Sequence, residues 1–250
     1  MKIAGISAIV TGAASGLGAA TAALLAERGA TVLGLDLSAS IESVQPPARV
    51  RLLAADVTSR ADIEAAVASI DGPPLRLVVN CAGIAPARRI LSSQGVHDTD
   101  LFRRTIEINL IGTFTVLAVA SERIATTEPD ENGQRGVIVN TASVAAFEGQ
   151  IGQIAYSASK GGVVGMTLPA ARDLARYGIR VNTIAPGIVD SPMLASFPQE
   201  VRDSLAASVP FPQRLGTPKE FAHLVAMIAE HDYLNGETIR MDGALRMAPQ

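Results

Sequence analysis

Tyr156 and Lys160 stand four residues apart in the run YSASK, one helical turn, so a helix would carry a phenol and an ammonium on the same face. A phenol ordinarily loses its proton near pH 10, and a neighbouring positive charge favours the phenolate. A tyrosine tuned in this way can exchange a proton with an alcohol or with the ketone derived from it. Ser143, at the end of GVIVNTAS, offers a hydroxyl that could hold the alcohol or carbonyl oxygen. Asn109, inside the apolar run that starts at Ile106, could order a water behind Lys160 and link it to solvent. Each has a plainer reading when taken singly: a surface Tyr/Lys contact, a serine helix cap, an asparagine that satisfies backbone groups. Their weight comes from standing together beside a nucleotide-binding turn.

That turn is TGAASGLG, Thr11 to Gly18, placed between a strand-like run and a helix-like one. Gly12 permits a tight turn, while Gly16 and Gly18 let backbone approach a ligand and let helix pack on strand. The N–H groups around Ser15 and Leu17 would then face a pyrophosphate, helped by the helix dipole. Asp36 ends the second apolar run, 18 residues beyond Gly18, where a carboxylate can accept hydrogen bonds from an adenosine ribose. The same carboxylate repels a 2′-phosphate, and Leu37, Ser38 and Ala39 bring no compensating cation. The expected cofactor is therefore NAD. Asp56 and Val57 are candidates for the adenine, Asn80, Cys81, Ala82 and Gly83 for a ribose, and Pro186, Gly187 and Ile188 for the nicotinamide. All of these close apolar runs, and open α/β sheets bind ligands outside the carboxyl ends of their strands.

The elements that must position these groups are legible as alternation. Runs at 6–12, 31–36, 49–56, 75–83, 136–143, 179–187 and 237–243 are rich in β-branched residues and read as strands. Most are apolar without interruption, as suits a parallel sheet covered on both faces. Helical patterns fall between them at 17–30, 60–70, 101–125, 153–177 and 218–230. The expectation is an α/β, Rossmann-like, doubly wound parallel sheet of about seven strands in one domain over 1–250. Two stretches resist the alternation. Residues 84–100 read as a long loop, and 188–216, with Pro192, Pro198, Pro210 and Pro212, as a lid over substrate. On that lid Met193, Leu194, Phe197, Leu205 and Val209 suit an acyl chain as well as they suit a core. Small residues Ala155, Ser159, Gly162 and Val163 promise a low-relief helix face, and Pro169 a bend in that helix or an unpaired carbonyl at Gly165.

Composition excludes some functions. A net charge of -3 and only two-residue basic clusters leave no footprint for nucleic acid. A single cysteine, Cys81, allows no intrachain disulfide, and no metal-ligand cluster stands out. The run IEINLIGTFTVLAVA carries Glu107 and Asn109 and is short for a membrane span. The opening residues lack the sections of a signal peptide, so the expected location is cytoplasmic with no membrane partner.

The chain resembles the short-chain dehydrogenase/reductase family over essentially its full length. TGAASGLG corresponds to the family's TGxxxGxG, and NCAG to its NNAG with a departure at Cys81 that leaves the backbone contact possible. Asn109 lies in NLIGTF, Ser143 in NTAS, Tyr156 and Lys160 in YSASK, and PG at 186–187 follows the sixth strand. The resemblance implies Tyr156 as acid/base, Lys160 as pKa tuner and ribose ligand, Ser143 as substrate holder and Asn109 in a proton relay. It places Ser191 near the nicotinamide amide, where many members have threonine, and Gln153 beside substrate. A narrower likeness, over 133–175, VPFPQRLG and LNGETIRMDGALRM, is to the branch that oxidises the 3-hydroxyl of short-chain acyl-CoA and accepts steroid alcohols. Arg88 and Arg89 would then be candidates for CoA phosphates. Open alternatives are a steroid or other secondary alcohol dehydrogenase, a 3-oxoacyl thioester reductase, and a non-catalytic NAD-binding scaffold. Family members pair their long helices across two-fold axes, which implies a homotetramer.

Overall fold

Uninterrupted apolar runs suit strands shielded on both faces, and the computed structural model, which describes residues 1–93, 95–195 and 197–249, shields them in this way. In chain order, β1 (Ser7–Thr11) leads to α1 (Gly16–Glu27), β2 (Thr31–Asp36), the single turn α2 (Ser38–Ile41), β3 (Val50–Ala54), α3 (Arg60–Ala68) and β4 (Leu75–Asn80). A small hairpin, β5 (Leu91–Ser92) and β6 (Gly95–Val96), precedes α4 (Thr99–Ile106), a π-helical turn (Glu107–Gly112) and α5 (Thr113–Ala125). Then come β7 (Gly136–Thr141), a 3₁₀ turn (Val144–Ala146), α6 (Ile154–Ala175) and β8 (Ile179–Pro186). The chain ends through α7 (Pro192–Ala195), α8 (Gln199–Ala207), α9 (Pro218–Glu230) and β9 (Thr238–Met241).

All seven expected strands pair in one parallel sheet of order β3-β2-β1-β4-β7-β8-β9. The chain winds outward in both directions from β1 and β4, so a crevice opens above their carboxyl ends. Helices α1 and α9 cover one face, where Leu25, Phe221 and Ile228 pack in the same cluster as Val10, Leu77 and Val139. Helices α3, α5 and α6 cover the other, where Ile63, Ala120 and Ile124 meet Ile9, Val78 and Ile138. Helix α1 stops as its sequence requires: the Ala30 N–H reaches Leu25 O and the Gly29 N–H reaches Ala26 O, both at 3.0 Å, a double closure of the last turn.

Several expectations need correction. The stretch 84–100 is not plain loop, since it holds the hairpin and the start of α4. The segment 188–216 holds helix, as its helix-like stretch suggests, in α7 and α8, and a Val189–Gly216 bridge joins its two ends. As expected, helix α6 runs on through Pro169. The small-residue face of α6 is not free: Ala155, Ser159 and Val163 are buried, and a Cβ on Gly162 would lie 2.6 Å from the Leu110 side chain. That face exists to admit the π-helical turn. The apolar residues left exposed on α5 and α6 include Phe114 and Leu168. Thr99–Ala125 is long and apolar enough to cross a bilayer by length and composition, yet it is half buried, α4 packing against α6 and α5 against β4.

Candidate functional site

A cleft of about 1300 Å³ runs along the carboxyl ends of the strands. At one end the turn from β1 to α1 forms a cradle that excludes side chains. A Cβ at Gly18 would stand 2.1 Å from the Gly12 carbonyl oxygen, and one at Gly12 would reach 3.0 Å from the Ala82 nitrogen. Gly12 also takes φ +65, which favours glycine. Thr11 locks the neighbouring loop, its Oγ1 accepting from the Cys81 and Ala82 N–H groups at 3.0 and 3.1 Å. Ser15 sits at the N-cap of α1 but makes no side-chain cap bond. The first-turn N–H groups therefore keep their capacity for an anion. Asp36 is held rigid at the rim, Oδ2 accepting from the Ala14 N–H and Oδ1 from the Leu37 N–H, both at 2.9 Å.

Ser15, Gly16, Leu17 and Leu37 line this end with the glycines and Asp36, and Asp56 and Val57 continue the wall. Cys81, Ala82, Gly83, Pro186, Gly187, Ile188 and Ser191 line the middle. Asn80 does not reach the cleft. It is buried, and its Nδ2 donates to Asn140 Oδ1 at 2.9 Å, tying β4 to β7. The Cys81 thiol accepts from Thr141 Oγ1 at 3.7 Å, and burial pushes its pKa up to about 12, so it stays protonated and unreactive.

Ser143, Tyr156 and Lys160 meet at the inner end of the cleft. The Ser143 oxygen accepts from the Ala145 N–H at 3.1 Å, so it does cap the 3₁₀ turn. That bond uses a lone pair and leaves the O–H free to donate. Lys160 is 4% exposed. Its Nζ donates to the Thr141 carbonyl at 2.7 Å and lies 5.8 Å from the centre of the Tyr156 ring. Burial lowers the Lys160 pKa to about 8. Burial also raises Tyr156, with the Ser143 hydroxyl pulling it partly back. In the chain alone, desolvation of the phenolate thus holds Tyr156 above its ordinary value.

Asn109 lies behind this centre and does not touch the cleft. Its Oδ1 accepts from the Ile84 N–H at 2.8 Å, and its Nδ2 donates to Ile84 O at 2.8 Å and to Ser159 Oγ at 3.0 Å. Ser159 in turn donates to the Tyr156 carbonyl at 2.7 Å. Both side-chain ends of Asn109 are thus engaged in fixing the loop after β4 to the turn of α6 that carries Tyr156. Ser159 is the positioning residue that sequence reasoning assigned to a packing face. Its type and its place one residue before Lys160 were the available signal.

On the substrate side, Gln153 lines the cleft and its Oε1 accepts from the Gln150 N–H at 3.0 Å. Leu194, Phe197 and Leu205 line it from the segment 188–216, whereas Val209 is buried against Gly243. The Met193 side chain lies outside the described residues. Arg88 and Arg89 do not line the cleft, although Ala85, Pro86 and Ala87 do; Arg103, Arg104 and Met247 line it without having been anticipated. Among the described residues no group of three or more His, Cys, Asp or Glu is placed to hold a metal.

The family model for short chain dehydrogenase matches residues 7–202. The 3-hydroxyacyl-CoA dehydrogenase type-2 of Bos taurus is 53% identical over 255 residues, covering 99% of this chain and 98% of that protein. The protein of the same name from Drosophila melanogaster is 53% identical over 248 residues, covering 96% and 97%. A crystal structure of 3-hydroxyacyl-CoA dehydrogenase type-2 from Mycobacterium avium superposes with a TM-score of 0.92 at 44% identity, covering 98% of each chain.

Proposed function

This chain belongs to the short-chain dehydrogenase family, and on that premise we propose that it oxidises the 3-hydroxyl of short-chain 3-hydroxyacyl-CoA with NAD. The observation that carries the reading is the convergence of Ser143, Tyr156 and Lys160 at the inner end of a cleft whose outer end is a side-chain-free cradle. The relatives' printed substrate supports the thioester.

A nicotinamide cofactor supplies the hydride acceptor. In this reading Gly12, Gly16 and Gly18 hold its pyrophosphate, Asp36 its adenosine ribose and Lys160 its other ribose. The Ser143 O–H donates to the substrate oxygen and Tyr156 takes the alcohol proton. Lys160 makes a neighbouring negative charge less costly, and Asn109 with Ser159 keeps the α6 turn in place. Residues 188–216 serve as the lid. Exposed Ile111 and Phe114 on the π-helical turn and α5, with Leu168 on α6, support self-association as a homotetramer, and the expected location remains cytoplasmic.

Cofactor choice tests one half of the reading. Replacing Asp36 by Ala removes two ribose acceptors and the charge that opposes a 2′-phosphate. The ratio of kcat/KM for NAD over NADP should fall by about 100-fold, equivalent to roughly 2.7 kcal/mol. An unchanged ratio contradicts the role given to Asp36.

The pH dependence tests the proton chemistry. Oxidation needs Tyr156 deprotonated, and burial holds its pKa above the usual phenol value. The oxidation rate should therefore climb with pH from about 6 towards 8, close to tenfold per unit. Above about 8 the slope should lessen, because Lys160 gives up its charge there. Reduction of the 3-ketone needs the protonated phenol, which persists across this range, and should hold level. Initial rates in both directions across this range decide it, and a flat oxidation profile below pH 8 rules out Tyr156 as the base.

A further inference from the structure

The segment after β9 returns to the cleft. Met247 lines it together with Gln150, Gln153 and Tyr156. Three hydrogen bonds lace this tail to the loop that follows Ser143: the Met247 N–H to Glu148 Oε2 at 3.2 Å, Gln150 Nε2 to Ala248 O at 3.0 Å, and the Ile151 N–H to Pro249 O at 2.9 Å. Beneath them lies an ion network. Arg240 on β9 grips Glu148 with both terminal nitrogens, at 3.0 and 3.1 Å. Its Nε donates to Asp242 Oδ2 at 2.7 Å, and Nη2 also donates to Leu245 O at 3.0 Å. Arg246 adds a contact to each carboxylate, at 3.3 Å to Glu148 and 3.1 Å to Asp242. The Arg240 and Glu148 side chains are 22% and 24% exposed. Two-pronged geometry at this degree of shielding makes the pair stiffer than a surface ion pair. The Glu148 carboxylate is held below its usual range by the Arg240 hydrogen bonds.

The network thus fixes two walls of the same chamber to each other, and only one of them carries the catalytic serine. Across the chamber the lid contributes Leu194, Phe197 and Leu205. Apolar surface on the lid and a flexible thioether on the tail suit an alkyl chain, and methionine adapts to a chain end without a fixed shape. We propose that the tail Gly243–Pro249 is the wall that sets acyl-chain length. Met247 meets the chain, and Arg240 with Glu148 acts as the positioning pair that holds Met247 in place. This rests on the 3-hydroxyacyl thioester reading above.

The test is the ratio of kcat/KM for the eight-carbon over the four-carbon 3-hydroxyacyl-CoA. Met247→Ala, which opens room for one to two further methylenes, should raise the ratio about tenfold. Met247→Phe should lower it. Arg240→Gln releases the tail and should move the ratio in the same direction as Met247→Ala while the KM for NAD stays level. Uniform loss on both substrates, or ratios that do not move in either Met247 variant, overturns the proposal with the thioester reading intact. Absence of thioester turnover by the unmutated protein overturns that reading and this proposal with it.

Discussion

Tyr156→Phe is expected to lower kcat by about a thousandfold while leaving the cofactor's dissociation constant within a factor of about two. The substitution deletes one oxygen from a side chain that lines the cleft beside Ser143 and Lys160. The phenol oxygen meets the Ser143 hydroxyl, while α6 is tied down elsewhere, with Ser159 donating to the Tyr156 carbonyl. Folding and the cradle should therefore survive, and the loss should fall on proton transfer alone. Steady-state turnover and a separate fluorescence titration of the reduced cofactor give the two numbers. Comparable loss in both would mean that Tyr156 supports the cofactor and does not handle the proton.

Gly18→Ala should raise the cofactor's dissociation constant by at least about 100-fold and lower stability by roughly 2 kcal/mol. The added Cβ would lie 2.1 Å from the Gly12 oxygen, 2.6 Å from the Gly12 carbonyl carbon and 3.0 Å from the Thr11 oxygen. All three are backbone atoms, so no side chain can swing aside. The turn must open, and with it the contact of Gly12 on the loop of Cys81 and Ala82. Gly165→Ala is the matched control, since a Cβ there meets nothing within 4 Å and alanine favours a helix. Its melting temperature should hold or rise. Calorimetric titration and thermal melts separate the two variants, and equal behaviour would remove the steric argument for the cradle.

The seven strands were legible because strands buried on both faces cannot hide their apolar runs, and β7 and β8 are buried at every residue. The cradle was legible because Gly18 admits no Cβ and Gly12 and Gly16 take φ +65 and +53, so the spacing of the three glycines carries geometry directly. Other parts of the site depend on distances that no local pattern encodes. Asn80 read as a cleft residue, but pairing across β4–β7 turned it inward; Asn109 does stand behind the centre, but its amide is taken up by Ile84 and Ser159. The small residues of α6 read as a face for close helix packing, but spacing did not say that the chain's own π-helical turn, through Leu110, would fill it. Spacing reveals an ammonium near Tyr156 and conceals how deeply both groups are buried. Met247 gave no signal at all, because it reaches the cleft only after β9 has crossed to the far edge of the sheet.

The most direct test is the formation of NADH by the purified protein with each enantiomer of 3-hydroxybutyryl-CoA, beside NADP and a simple secondary alcohol. Turnover of one enantiomer with NAD, well above that with NADP or the simple alcohol, is the predicted result. Turnover of the simple alcohol without turnover of either thioester would contradict the proposed substrate while leaving Ser143, Tyr156 and Lys160 as the reacting centre.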